Sequence, residues 1–452
     1  MSEQTKTTGT SRRDFLKTAG IGSVGLAAVA NLNIARGVNV GGSDLIKVAL
    51  IGCGGRGAGS LQDRFAVGDN VKVVALCDVV DEPMQNALKL LSETDHKDKL
   101  DVGDRVFSGF DGYKQAIDCC DQALIASPPA FHPIHYKYAV EQGKHVFIEK
   151  PFGVDAPGYR LCMAANKIAD DKGLTVCGGY QRRHQNDYRE WIKRIHDGEI
   201  GDVLSTRVYW NGAGAKNRGF RAEGEPEIRF QARDWYFFNW LSGDHIVEQH
   251  CHNIDVGNWI HGKGDPFAHP VSCVGMGGRQ VRKTPGFPYN ECGNIFDHHY
   301  VEYTYADGSI MHSQCRQIPG CWNSVTEKVL GSAGNGQIAW LQKKGGPRWQ
   351  YRGNGDKSGY VQEHINQVNA IRNGEKLNDG WHSATATMIA VMGWMATYSG
   401  REIKWDEAVE KGRDLFPYDV ELTFDTPSPV MPGPDGTFEH AVAVPGKYDP
   451  FA

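Results

Sequence analysis

The hydrophobic positions of this chain fall first into short continuous runs and then into longer alternating ones. Residues 46–51, Ile-Lys-Val-Ala-Leu-Ile, and residues 71–77 are apolar runs rich in β-formers. Strands buried on both faces look like this. Residues 58–67 between them have room for one helical crossover, so the three segments predict a βαβ unit. A further strand at 122–126 stops at Ser127-Pro128-Pro129. A helix is predicted over 135–142, and the next strand, 144–148, ends at Glu149-Lys150-Pro151. Strand–helix alternation predicts a doubly wound parallel sheet that closes near residue 170.

Beyond residue 174 the period changes. Residues 203–210, 300–305 and 309–314 alternate as half-buried strands do, with Asp307-Gly308 as a hairpin turn. Helices are predicted over 188–196, about 247–261 and 383–399. An open, mainly antiparallel sheet with helices on one face is expected. The end of the chain is rich in Pro and Gly and reads as a surface tail.

Glycine spacing gives the first half a chemistry. Gly52-Cys53-Gly54-Gly55-Arg56-Gly57 follows a strand and opens a helix. Such glycines permit a tight turn and close approach to a pyrophosphate, which then rests on the helix N-terminus. A glycine turn with no nucleotide is the competing explanation. Asp78 ends the next strand, where a carboxylate accepts from both ribose hydroxyls and repels a 2′-phosphate, so NAD is favoured. Arg56 could grip a phosphate and keeps NADP open. The fold class is therefore α/β: an N-terminal Rossmann doubly wound parallel sheet plus a C-terminal α+β domain with an open, mainly antiparallel sheet. The domain plan is a leader and linker over 1–40, an NAD-binding Rossmann domain over 45–170, a substrate-binding domain over 171–425 and a tail over 426–452.

Two more clusters carry candidate chemistry. Lys150, in Glu149-Lys150-Pro151, sits at the carboxyl end of a parallel strand, where ligands of doubly wound folds bind. It can donate to a substrate oxygen, and desolvation is expected to lower its pKa. In Glu248-Gln249-His250-Cys251-His252-Asn253-Ile254-Asp255, Glu248 and His252 share a helix face at i and i+4. A carboxylate there would fix the imidazole tautomer and raise its basicity. Glu248, His250 and His252 are all metal-ligand types, but His250 projects from another side, so no metal is expected. A purely structural histidine pair is the alternative.

Together these motifs resemble the Gfo/Idh/MocA family, that of glucose–fructose oxidoreductase and inositol dehydrogenase. The resemblance runs from about Leu45 to Asp406. It rests on the glycine fingerprint, the Ser127-Pro128-Pro129 and His132 segment, the Gly143–Pro151 stretch, and Arg401–Asp406. It implies that Lys150 is the catalytic lysine, close to the nicotinamide ribose, and that His252 is the catalytic base. It also implies cofactor contacts at Ser127, Pro128, His132 and Glu149. Tyr180, Arg183, Trp235, His250 and His252 become candidates for substrate contact. The family usually has Asp where this chain has Glu248, and often Gly where it has His250. A sheet face in the second domain often builds dimers in this family, so a homo-oligomer through the C-terminal sheet is implied.

Composition adds limits. The 452 residues carry a formal charge of −5, which argues against nucleic acid as a partner. Eleven cysteines, an odd number without paired C-x-x-C spacing, read as buried thiols rather than a disulfide framework. Eleven Trp and 17 Tyr supply flat faces of the kind that pack under sugar rings, although large domains bury many aromatics anyway. Ser11-Arg12-Arg13-Asp14-Phe15-Leu16-Lys17, a Gly/Ala-rich apolar stretch and Ala28-Val29-Ala30 read in order as a twin-arginine export signal with its cleavage site. The apolar stretch is too short to remain as a membrane anchor, so a periplasmic or other extracytoplasmic location is expected.

Three functions compete. The leading one is hydride transfer between a sugar or polyol CH–OH and a nicotinamide cofactor. The second is redox-neutral, NAD-dependent glycoside cleavage, and the third is sugar binding without turnover. The export signal gives one prediction at once. Arg12→Lys combined with Arg13→Lys should leave unprocessed protein in the cytoplasm, and fractionation that finds normal export of this variant would refute the signal.

Overall fold

β1 (Ile46–Ile51), β2 (Val71–Asp78), β3 (Val106–Ser108), β4 (Gln122–Ile125), β5 (His145–Ile148) and β6 (Val176–Gly178) form a six-stranded sheet in the order β3-β2-β1-β4-β5-β6. Every pairing in it is parallel. The strand order reverses direction between β1 and β4, which opens a crevice at their carboxyl ends. This is the computed structural model of the chain, and it describes residues 44–68, 70–214, 222–282, 293–353 and 355–452. The Arg12-Arg13 signal and its cleavage site lie outside the described residues.

Helices cover both faces of this sheet: α1 (Gly55–Phe65), α2 (Asp81–Ser92), α3 (Gly112–Asp118), α4 (His132–Glu141) and α5 (Ala156–Lys172). The expected crossover at 58–67 starts three residues early, at Gly55. Gly52 turns the chain with φ 91°, and Gly54 caps the helix with no side chain in the way. α4 likewise starts at His132 rather than 135, because Pro133 fits the first turn of a helix, where its missing N–H costs nothing. Residue 170 falls within α5, and the parallel sheet runs on to β6.

The second half begins with α6 (Asn186–His196) and β7 (Val203–Gly212), followed by α7 (Glu227–Arg233), α8 (Asn239–Ser242), α9 (Asp244–Glu248) and α10 (Cys251–His261). The single helix expected over 247–261 is in fact two, α9 and α10, meeting at Gln249-His250. β8 (Ser272–Gly278), β9 (His298–Thr304), β10 (Ile310–Gln317), β11 (Ser324–Gly331), β12 (Gly334–Gln337), β13 (Trp340–Lys343), β14 (Arg348–Gln350) and β15 (Ile403–Lys404) join β7 in a nine-stranded sheet. Its order is β14-β13-β12-β11-β7-β10-β9-β8-β15. It is antiparallel except for the β7–β10 pair.

Two late helices bind the halves together. α11 (Gly359–Asn373) returns to the parallel sheet, where Val368 and Ile371 join the core of Leu50, Leu61 and Phe147. α12 (Gly380–Ser399) is apolar on all sides and buried along almost its whole length, packed on α5, α9, α10 and β8. A helix buried all round carries no amphipathic stripe. α13 (Trp405–Lys411) follows, and the remaining chain lies over the surface. Among the described residues, no helix is long and apolar enough to cross a membrane.

Candidate functional site

The carboxyl edge of the parallel sheet is built around glycines that have two different jobs. A Cβ on Gly57 would lie 1.9 Å from the Gly52 carbonyl oxygen, and one on Gly52 would lie 2.4 Å from the Ala126–Ser127 backbone. Both glycines therefore allow α1 and the β4 loop to close on the turn. A Cβ on Gly54 or Gly55, in contrast, would meet nothing within 4 Å. These two leave a clear approach to the first turn of α1, which has no acidic residue. Free N–H groups and the helix dipole there suit a pyrophosphate.

Asp78 faces this turn. Its Oδ2 accepts from Cys53 N (2.8 Å) and its Oδ1 from Val80 N (3.3 Å). A carboxylate has about four acceptor sites, and ribose hydroxyls are donors of the kind it takes at the end of this strand. Asp78, Gly52, Ser127 and Pro128 line one slot together with Phe110, Tyr113, Phe131 and His135. The last four escaped the sequence reading, although Phe110 lies just past the end of β3, on the edge where ligands gather. The slot, the open glycines and the aspartate fit a dinucleotide. Arg56 is engaged elsewhere: its Nε donates to Glu149 Oε1 (2.7 Å), its Nη2 to Asp63 Oδ2 (3.0 Å), and the guanidinium lies 4.8 Å from the Tyr360 ring centre.

His132, expected to touch the cofactor, is 1% exposed and braces two loops instead. Its Nδ1 is 2.6 Å from the Pro151 carbonyl and its Nε2 2.8 Å from the Ser127 carbonyl. Two carbonyl acceptors call for a proton on each nitrogen, whereas burial pushes the pKa down to about 4. The paired contacts fix the ring, and they hold the β4 and β5 loops at a set spacing.

Lys150 leaves the end of β5 and reaches across to the second domain. Its Nζ donates to the Glu248 carbonyl oxygen (2.6 Å) and to Glu248 Oε1 (2.8 Å). That carbonyl is accessible because α9 stops at Glu248. The Lys150 pKa does not fall as expected. Burial does lower it, but the Glu248 charge and hydrogen bond outweigh burial and raise it above the ordinary lysine value. Lys150 is therefore a held ammonium with one N–H to spare.

Glu248 is corrected with it. The break at Gln249-His250 takes Glu248 off the His252 face, and its carboxylate serves Lys150. His252, 6% exposed, is instead held between aromatic rings. Trp210 of β7 stacks on it at 5.9 Å and 22°, and Tyr180 meets it edge-on at 5.9 Å. Its Nδ1 is buried with no hydrogen-bond partner among the described residues. Burial first, then the charges of Lys150, Arg182 and Arg56, hold its pKa well below the ordinary histidine value. A neutral imidazole can accept a proton, so His252 has the chemistry a general base needs.

The substrate candidates separate on contact. Arg183 is engaged by Asp255 through three contacts of 2.7–3.0 Å and lies over Trp259, so it positions α10. His250 is fully buried, with Nε2 on Ser313 Oγ (2.9 Å), and offers no accessible atom. Tyr180 is 1% exposed, with its hydroxyl on Thr387 Oγ1 (3.0 Å), so it steadies His252. Trp235 is half-buried beside Tyr236 and packs against the cluster of Phe230, Phe237 and Phe238. Trp210 and Arg182 were missed. Arg182 stacks over the Trp210 ring and is anchored on buried Glu327 (2.5 Å).

Comparison with known proteins agrees with this geometry. The GFO/IDH/MocA family model, described as an oxidoreductase family with an NAD-binding Rossmann fold, matches residues 46–180. A glycosyl hydrolase family 109 protein of Solibacter usitatus is 30% identical over 287 residues, 58% of this chain and 58% of the relative. The chain spans about half the length of the curated relatives it matches. In fold it is similar to aldose–aldose oxidoreductase from Caulobacter crescentus, at TM-score 0.61 and 18% identity over 80% of this chain and 99% of that one. It is also similar to scyllo-inositol dehydrogenase from Lactobacillus casei with bound NAD(H) and scyllo-inositol, at TM-score 0.58 and 19% identity, covering 80% and 99%.

The two kinds of glycine make a clean prediction. Gly57→Ala forces a methyl into backbone and should cost about 3 kcal/mol of stability. Gly54→Ala should melt as wild type does yet bind NAD about tenfold more weakly, a loss of about 1.4 kcal/mol. Thermal melts and NAD titration check both. Residues 46–180 thus match the GFO/IDH/MocA oxidoreductase family model with its NAD-binding Rossmann fold, and they are joined to a second domain built on a mainly antiparallel sheet.

Proposed function

We propose that the protein transfers hydride between a sugar or polyol CH–OH and NAD, with His252 as base and Lys150 as the group that steadies the substrate oxygen. The observation that carries this reading is the opposite tuning of the two side chains. Lys150 is kept charged by Glu248, while His252 is kept neutral by burial and by nearby cations. Environments that push two titratable groups apart assign the acid and base roles. His252 takes the hydroxyl proton, and Lys150 donates its spare N–H to the oxygen as negative charge develops there. NAD, when bound, supplies the acceptor for the hydride. Trp235 is a half-buried aromatic of the kind that packs against a sugar ring, and the aldose and inositol enzymes of similar fold support that substrate class.

Redox-neutral glycoside cleavage is the second reading, favoured by the 30% identity to a family 109 glycosyl hydrolase. It uses the same base and the same nucleotide. Product analysis on a glycoside separates the two: a keto-sugar means dehydrogenase, and a free reducing sugar without net NADH means hydrolase.

A twin-arginine signal carries folded proteins, and NAD is scarce outside the cytoplasm, so an exported enzyme of this kind should keep its nucleotide. Isolated protein should yield NAD by mass spectrometry and change absorbance at the bound nicotinamide when candidate sugars are added. An empty protein that needs millimolar NAD and releases NADH stoichiometrically would contradict retention.

The catalytic assignment predicts a kinetic pattern. Lys150→Ala and His252→Ala should each lower kcat/KM by roughly 10²–10⁴-fold while leaving NAD bound. Because the His252 pKa is depressed, its base form persists on acidification, and the acid limb of kcat/KM should lie below the ordinary histidine value of 6.5. Lys150→Gln removes a cation and should move that limb upward. A limb that stays put would detach Lys150 from His252.

A further inference from the structure

The segment beyond α13 takes no part in the proposed chemistry, yet it is firmly seated on both domains. Near its start, Asp155, which caps α5, accepts from Leu415 N (2.8 Å), Phe416 N (3.1 Å) and the Tyr418 hydroxyl (2.8 Å). Gly158 makes room for this docking, since a Cβ there would lie 2.4 Å from the Tyr418 hydroxyl oxygen. Further on, Gln231 Nε2 donates to the Val430 carbonyl (2.6 Å), Phe438 packs edge-on against Phe238 (5.0 Å), and Arg279 pairs with Glu439 (2.9 Å). Tyr448 closes the run against Trp394 and Tyr398 of α12.

Between these anchors the segment touches the nucleotide slot from behind. Phe416 meets Phe131 edge-on at 5.2 Å, and Phe424 packs on Phe110 at 5.5 Å. Phe110 and Phe131 are themselves wall residues of the slot that holds Asp78. Both belong to one apolar cluster with Phe237, Phe238, Trp240 and Leu241, residues from outside the parallel sheet.

From this arrangement we infer that the C-terminal segment is a strap that locks the adenosine end of the nucleotide site. Phe424 and Phe416 act as positioning residues, through Phe110 and Phe131 respectively. Opening the slot enough to release a dinucleotide requires Phe110 and Phe131 to move. Both are backed by a segment pinned at Asp155 and again at Arg279 and α12. Dissociation is slowed because the strap must loosen first, while the reacting groups at Lys150 and His252 are untouched. The inference rests on the reading of the slot as the NAD site.

The rate of NAD loss from purified protein tests it. Bound NAD is followed by mass spectrometry during dilution into nucleotide-free buffer, with thermal midpoints measured in parallel. Phe424 is 37% exposed, so Phe424→Ala should fold, and it should lose NAD at least about tenfold faster than wild type. Phe424→Leu should restore most of the retention. Ile192→Ala, in the separate core cluster of Trp191 and Ile195, should lower the thermal midpoint yet leave the release rate within twofold of wild type. Release from Phe424→Ala at the wild-type rate would overturn the strap, as would equal acceleration in Ile192→Ala, which would mean general loosening. Wild type that binds no dinucleotide at all would instead fell the slot assignment, and the strap with it.

Discussion

The ion pair between Lys150 and Glu248 is the contact on which the site depends. It spans 98 positions of sequence and joins the end of β5 to the end of α9, one in each domain. Its two partners are only 13% and 14% exposed, so both charges pay for desolvation. Removing one partner of such a pair typically costs about 3–5 kcal/mol, because the other charge is left uncompensated. The pair also decides protonation. It keeps Lys150 cationic, and burial together with that cation holds His252 neutral.

The α9–α10 break that frees the Glu248 carbonyl is held from below. Asp244 is fully buried and sits at φ 69°, a conformation that non-glycine residues seldom adopt. Its carboxylate accepts from His245 N and Nδ1 (2.5 and 2.8 Å), Phe296 N (2.7 Å) and the Tyr398 hydroxyl (2.6 Å). Burial would raise its pKa, but His299 and His245 hold it well below the ordinary value. A hub of four donors can offset backbone strain at the start of α9. On the other side of the break, Arg183–Asp255 and Arg182–Glu327 fix α10 and the ring that backs His252. Strain and buried charge thus gather where two short helices replace one long one.

Much of the parallel half was legible in the sequence because its signals are local. β1, β2, β4 and β5 are short, mostly apolar runs, and Gly52 and Gly57 mark the turn between β1 and α1. The distant pairing was not legible. Nothing in residues 247–261 announces a break, because Gln249-His250 contains neither Gly nor Pro, and an i, i+4 reading of Glu248 with His252 followed. The true partner of Glu248 is far away in sequence. β12, Gly-Asn-Gly-Gln, has no apolar side chain to mark it, and the contacts of Phe416 with Phe131 and of Phe424 with Phe110 join residues far apart in sequence. Residue types at the site were readable, but which of them touch was set by tertiary packing.

The division of labour between ammonium and neutral imidazole can be read without any substrate. Protein with labelled lysine and histidine side-chain nitrogens, assigned through Lys150→Arg and His252→Gln, would be titrated by nitrogen NMR with NAD bound. The account predicts that His252 stays neutral well below pH 6.5 and that Lys150 stays charged beyond 10.5. A His252 that titrates at or above 6.5, or a Lys150 that loses its proton near neutrality, would contradict it.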